Sequence, residues 1–370
     1  MRLPNAFGTP PLGRLRDASR DNNLDALRLI GALMVILGHA YPLSGNSTPI
    51  PAIFGVPVHT LGVFIFFVIS GYLITKSWAR RPRLGSYLAA RALRIFPALI
   101  VVTVLTIAVL GPIFTSLGLR DYVGNRSTWT YLENIALVPV PSLPGVFEHL
   151  PWQNTINGSL WTLPVEFACY LIVPFIMVLP GRAKVVGAIV FGVASAVVLL
   201  DAASQAQQMQ LNWFVLYNAL EPWIFFAAGM LCALLTRPAF FRLDVSLFLA
   251  LAATVLYAAH PSFSHLPLWG VVPYIVLSAG LASTPVFSRS SRFGDFSYGM
   301  YIYAYPVQQI VVSIFGWRSI ALNVVVVVAL TLLLAYASWH LVESPALRWK
   351  ARLRRPRAPV VASAPLAPTV

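Results

Sequence analysis

Two basic residues in one apolar stretch are the first sign of chemistry in this sequence. Between Leu24 and Leu43 stand Arg28 and His39, eleven positions apart. On a helix that is about three turns, so both side chains leave nearly the same face, ~16 Å apart along the axis. Arginine offers a permanently charged fork for a phosphate, and imidazole titrates near working pH and suits removal of a proton from a hydroxyl. The plainer reading has Arg28 reaching to lipid phosphate and His39 bonding a neighbouring helix. Arg91 and Arg94 are three apart and share a helix face; they serve phosphate binding or anchor the chain at the membrane surface. Glu166 follows Trp161-Thr162-Leu163, ~10 Å below the outer end of its stretch, the depth expected for His39. A carboxylate facing that imidazole would orient its tautomer and stabilise the imidazolium. Gly71 permits close backbone approach, and its neighbour Ser70 either packs or donates into a cavity. Tyr298 and Tyr301 lie in a hydroxyl-rich stretch from Ser297 to Tyr305-Pro306. They either pack within the bundle or line a site with Ser70 and Trp161. Glu343 is placed to pair with Arg28, Arg91 or Arg94, and Glu221, beside Pro222, is a weaker buried candidate.

Such groups need elements that hold them in a bilayer, where each costs several kcal/mol unless paired or hydrated. Of 370 residues 58% are hydrophobic and 10% charged, against about 25% charged in soluble domains; the mean hydropathy is +0.74. The fold class expected is all-α, a polytopic transmembrane helix bundle of about ten spans. These lie at 24–43, 58–78, 91–110, 159–179, 184–200, 212–235, 244–260, 267–284, 296–316 and 319–342. Lys and Arg gather in alternate connections, whereas 44–57, 201–211 and 261–266 hold none, so both termini are expected in the cytoplasm. The net charge of +14 then reads as anchoring beside anionic lipid, not as a nucleic-acid surface. Cys169 and Cys232 suggest neither a disulfide framework nor a metal site, no cleavable signal peptide is evident, and no internal repeat stands out. Three parts are expected: a cytoplasmic tail 1–23, a transmembrane domain 24–342, and a basic, Pro/Ala-rich cytoplasmic tail 343–370. The long outer loop 111–158 carries Trp129, Tyr131 and Trp152. It either covers an outer cavity and stacks on sugar rings, or forms an interfacial aromatic belt.

Taken in order, these segments resemble the acyltransferase-3 family of integral-membrane O-acyltransferases. Arg28 and His39 fit its Arg-x10-His signature. Gly62 to Leu73 is similar to its glycine-valine, double-phenylalanine, serine-glycine segment. Arg91, Arg94-Ile95 and Pro97 resemble its basic element before the third span, and Trp161-Thr162-Leu163 with Glu166 its Trp-Ser/Thr-Leu…Glu element. Phe64 stands where many members carry an acid, and Ala304 where many carry a histidine, which places more weight on His39 and Glu166. The resemblance implies transfer of an acyl group, usually acetyl, from cytoplasmic acyl-CoA to a hydroxyl of a cell-envelope polysaccharide or glycolipid. It implies a multi-pass protein of the bacterial inner membrane whose partners are the bilayer, acyl-CoA and the glycan, with no permanently bound cofactor. Donor phosphates are expected among Arg28, Arg91 and Arg94, with His39 as base, Glu166 as its orienter, and Ser70 or a tyrosine hydroxyl at the oxyanion. The competing class is a transporter or flippase of a glycan or lipid-linked substrate, which often shows repeated halves with central ionisable groups.

Overall fold

Long apolar runs in lipid must satisfy their backbone internally, and an open chain does so as helices. The computed structural model describes residues 22–205, 211–260, 265–284, 287, 294–316 and 319–353. Among them are ten long helices: α1 Leu24–Leu43, α2 Val58–Arg80, α3 Leu84–Leu105, α4 Thr162–Met177, α5 Ala183–Gln205, α6 Leu211–Leu235, α7 Leu243–Ala259, α8 His265–Leu281, α9 Ser297–Phe315 and α10 Ile320–Ser338. Each overlaps one expected span. Among the described residues, six helical segments are long and apolar enough to cross a membrane by length and composition. The chain is thus a multi-pass, all-α membrane protein, its one sheet a two-residue hairpin, Ala52–Ile53 with Val56–Pro57. The N-terminal Arg14, Arg16 and Arg20, the connection residues Arg289, Arg292 and Arg318, and the tail beyond 353 lie outside the described residues.

Glycines set the closest crossings. A side chain on Gly62 would stand 2.5 Å from the Gly31 carbonyl, so α1 and α2 pack backbone to backbone there. The pairing of Gly71 with the Phe226 carbonyl and of Gly229 with the Val68 carbonyl does the same for α2 and α6, the close approach expected of Gly71. Helix α3 begins seven residues before the expected span. Tyr87, in its first turn, is buried and donates to the Tyr170 carbonyl at 2.8 Å. Arg91 and Arg94 therefore stand within the helix, not at its mouth. A π-helical turn, Trp339–Glu343, follows α10 and turns Glu343 into the protein, 2% exposed.

The segment between α3 and α4 is ordered. Tyr122, Tyr131, Leu143, Val146 and Phe147 form a small core of its own with Ile107 and Leu110. Its last stretch descends into the bundle. Pro306, inside α9, cannot donate to the Ile302 carbonyl one turn back; Asn157 Nδ2 does so from this segment at 2.8 Å. Gln309 Nε2 holds the Trp152 and Thr155 carbonyls at 2.9 and 2.7 Å. Helix α4 thus starts sunken, level with the second turn of α9, because Thr162 Oγ1 lies 2.6 Å from the Tyr301 hydroxyl. Irregular backbone at such depth is tolerated where it lines a cavity.

Candidate active site

At the end of the bundle where α1 begins, four helices bring charge together. Asp295, just before α9, takes Arg28 Nη1 at 3.4 Å and Arg94 Nη2 at 2.7 Å on the same Oδ2. Arg94 Nη1 lies 3.4 Å from Glu343 Oε2, and Ser338 Oγ donates to the other Glu343 oxygen at 2.9 Å. Ser297 donates to Asp295 Oδ1 from its amide, at 3.3 Å, and from its hydroxyl. Burial alone would push the Asp295 carboxyl up; Arg94 and Arg28, with Ser297, hold it below the usual carboxylate range. Of the expected partners of Glu343, the structure selects Arg94.

Beside this network is a pocket of about 40 Å³ lined by Arg28, Arg94, Glu166, Tyr298 and Tyr301 among others, enough for water-sized occupants. Arg94 lies over the Tyr298 ring, 5.3 Å from its centroid, and the Tyr298 hydroxyl is spent on the Ile95 carbonyl at 2.8 Å. Arg91 stands apart from that pocket. Its guanidinium lies 5.7 Å from the Tyr170 ring centroid and 6.0 Å from that of Tyr87, and among the described residues it has no ion pair. Its buried Nε has no hydrogen-bond partner. The three expected phosphate ligands therefore divide, two already held by carboxylates and one not.

Toward the other end lies a larger cavity, about 720 Å³, of the size that holds a small ligand. His39 and His59 line it, with Tyr305, Trp152 and Trp161. His39 Nδ1 sits 2.9 Å from the Val35 carbonyl one turn back on α1. A carbonyl accepts only from N–H, so Nδ1 carries the hydrogen and, in the neutral ring, Nε2 keeps its lone pair. That is the tautomer a base requires. The His39 ring is 5.1 Å from that of His59 and 5.3 Å from that of Tyr305, centroid to centroid.

Glu166 is elsewhere. It accepts from Ser70 Oγ at 3.4 Å and from the Tyr170 hydroxyl, and it lines the Arg28 pocket. The group that orients His39 is the Val35 carbonyl, and the expectation of Glu166 beside that imidazole is corrected. So is its separation from Arg28 by depth, because α4 starts sunken. Ser70 is 1% exposed, its hydroxyl directed to Glu166. Tyr301 lines both cavities and Trp161 the larger one.

Sequence reasoning missed two residues. Asp295 precedes the hydroxyl-rich helix by two positions, a local signal that was present. His59, in the first turn of α2, supplies a second histidine where Ala304 suggested none. The enabling residue is Gly38: a Cβ there would fall 2.6 Å from both Cβ and Nδ1 of His59. Gly38→Ala is therefore expected to displace His59 and the start of α2, lowering turnover severalfold and costing about 1–3 kcal/mol of stability; full turnover in the purified variant would show that the position of His59 is immaterial.

The decisive comparison is with known sequences. A family described as "Acyltransferase domain" matches residues 21–340. The chain belongs to the acyltransferase-3 family. It is similar to an "O-acetyl transferase" of Shigella phage Sf6, 33% identical over 88% of this chain and 95% of that one. It is also similar to "Nodulation protein 10" of Rhizobium leguminosarum bv. viciae, 30% identical over 90% and 95%. "Acyltransferase MdmB" of Streptomyces mycarofaciens is 27% identical over 67% and 68%. No solved structure gives a significant match. This membership decides for an enzyme over a transporter: the protein is an O-acyltransferase.

Proposed function

We propose that this O-acyltransferase moves an acyl group, usually acetyl, from acyl-CoA at the Arg28 end to a hydroxyl of a cell-envelope polysaccharide or glycolipid in the larger cavity. The observation that carries this is the meeting of the two cavities at shared walls, Val63 and Tyr301. One is lined by Arg28 and Arg94, both already paired with carboxylates, and the other by the His39 imidazole. His39 Nε2 takes the proton of the acceptor hydroxyl as its oxygen bonds the thioester carbonyl carbon; the C–S bond then breaks and the thiolate recovers a proton from the imidazolium. Tyr301, at the boundary, donates its one hydroxyl hydrogen to the Ser159 carbonyl at 3.1 Å, so it shapes the junction of the two cavities and could serve a developing oxyanion only by giving up that bond. All ten long helices cross the bacterial inner membrane in this reading, with the Arg28 end and both termini in the cytoplasm, supported by the concentration of Lys and Arg in alternate connections, Arg318 and the long-segment Arg120 and Arg126 being the exceptions. The similarity to the O-acetyl transferase of Shigella phage Sf6 supports acetyl.

Arg91 is the donor cation we assign first, because Arg28 and Arg94 already hold carboxylates. Loss of one charge-assisted hydrogen bond costs roughly a factor of ten. Arg91→Gln is thus expected to raise KM for acetyl-CoA about tenfold, with kcat little changed. An unaltered KM would remove Arg91 from the donor site. The function itself is tested with inverted membrane vesicles and radiolabelled acetyl-CoA. Label should enter envelope polysaccharide in vesicles with the intact chain and not with His39→Ala; equal labelling by both would sink the assignment.

A further inference from the structure

The larger cavity has a marked electrostatic character. Glu221 lines it, and among the described residues no Lys or Arg does. The connections at the same end agree. Residues 44–57, 201–211 and 261–266 contain no Lys or Arg, the connection between α9 and α10 holds the single Arg318, and Arg120 and Arg126, in the long segment, are exposed to solvent. An anionic ligand entering here would lose its hydration and meet a carboxylate instead of a counter-charge, which binding sites use to reject wrong partners.

The remaining wall suits an uncharged, hydroxylated ring. Trp152, Trp161 and Tyr305 offer flat apolar faces with polar edges. The amides of Asn134 and Asn157 are spent on the chain itself: Asn134 on the Tyr131 and Val140 backbone, Asn157 on Ile302 and Ser159. Glu221 is held in place from α8, where Trp269 Nε1 donates to its Oε1 at 3.4 Å. A carboxylate has about four acceptor positions, so it can take sugar hydroxyls beside protein donors such as this indole. On the reading of this cavity as the acceptor site, we propose that the acceptor is a neutral sugar and that Glu221 is a specificity-determining residue, binding sugar hydroxyls and excluding carboxylated or phosphorylated sugars.

The test uses the purified full chain in detergent and calorimetric titration at pH 7. The probes are methyl glucoside, galactoside and mannoside, each beside its matching uronide. The best-bound neutral glycoside should have a Kd at least about tenfold below that of its uronide. Glu221→Gln, checked for native helicity, should bring that pair within about threefold, and Glu221→Lys should invert the preference. Equal affinity for both members in the unaltered protein, discrimination that survives Glu221→Gln, or no binding of any probe would each overturn the proposal. Acyl transfer from acetyl-CoA to the same probes separates this proposal from the reading beneath it. Discrimination in binding without transfer would leave Glu221's role standing and remove the acceptor assignment. Transfer to uronides as fast as to neutral sugars would do the reverse.

Discussion

Replacing His39 with alanine is expected to lower acyl transfer by about 10²–10⁴-fold, the usual contribution of a positioned general base. The expectation rests on tautomer as much as on place. The Val35 carbonyl fixes hydrogen on Nδ1, so the ring is prepared to accept at Nε2 before substrate arrives, and it lines the larger cavity, where an acceptor hydroxyl fits. The effect should fall on kcat, because a proton is moved only in the transition state. His59→Ala supplies the control. His59 touches the same ring but its buried Nδ1 has no partner among the described residues, so no bond at that nitrogen sets its tautomer, and its loss should cost much less. Full turnover by His39→Ala, or a larger loss from His59→Ala, would move the base elsewhere.

That site was legible in part, and the division has a physical cause. Apolar length alone placed ten helices, and a period of eleven placed Arg28 and His39 on one face, because both are local properties of a helix. Depth was also read locally for Glu166, and there it failed. Counting from the end of an apolar stretch assumes that the helix begins at the membrane surface. Asn157 and Thr162 instead anchor the start of α4 to α9 at Ile302 and Tyr301, which lowers Glu166 to the Arg28 pocket. Nor does depth give lateral position. Helix α1 packs on α2, α8, α9 and α10, and α4 on α2, α3, α5 and α6 with a single anchor on α9, so α2 is the main neighbour they share. His59 escaped notice for a related reason. It lies at a helix start, and only the side-chain-free surface of Gly38 brings it to His39.

The largest loss of stability is expected from Arg94→Ala. Among the described residues Arg94 is the one cation joining Asp295 and Glu343, residues 201 and 249 positions away along the chain. It therefore ties α3 to both the start of α9 and the end of α10. Removing one partner of a buried ion pair leaves the other charge uncompensated, at a cost of about 3–5 kcal/mol. The Glu343 side chain is 3% exposed and cannot turn to water, whereas Asp295, at 18%, keeps Arg28 and some solvent. Most of the loss should then come from Glu343. This separates the network from a simple sum of contacts: Arg94→Met with Glu343→Gln should recover more than half the stability lost in Arg94→Ala. The Asp295→Asn change should recover less on the same background. Thermal unfolding in detergent, followed by tryptophan fluorescence, reads all of these variants. An Arg94→Ala protein that unfolds with the unaltered chain would show that α9 and α10 are held to α3 by packing, and that Arg94 is free to serve the donor alone.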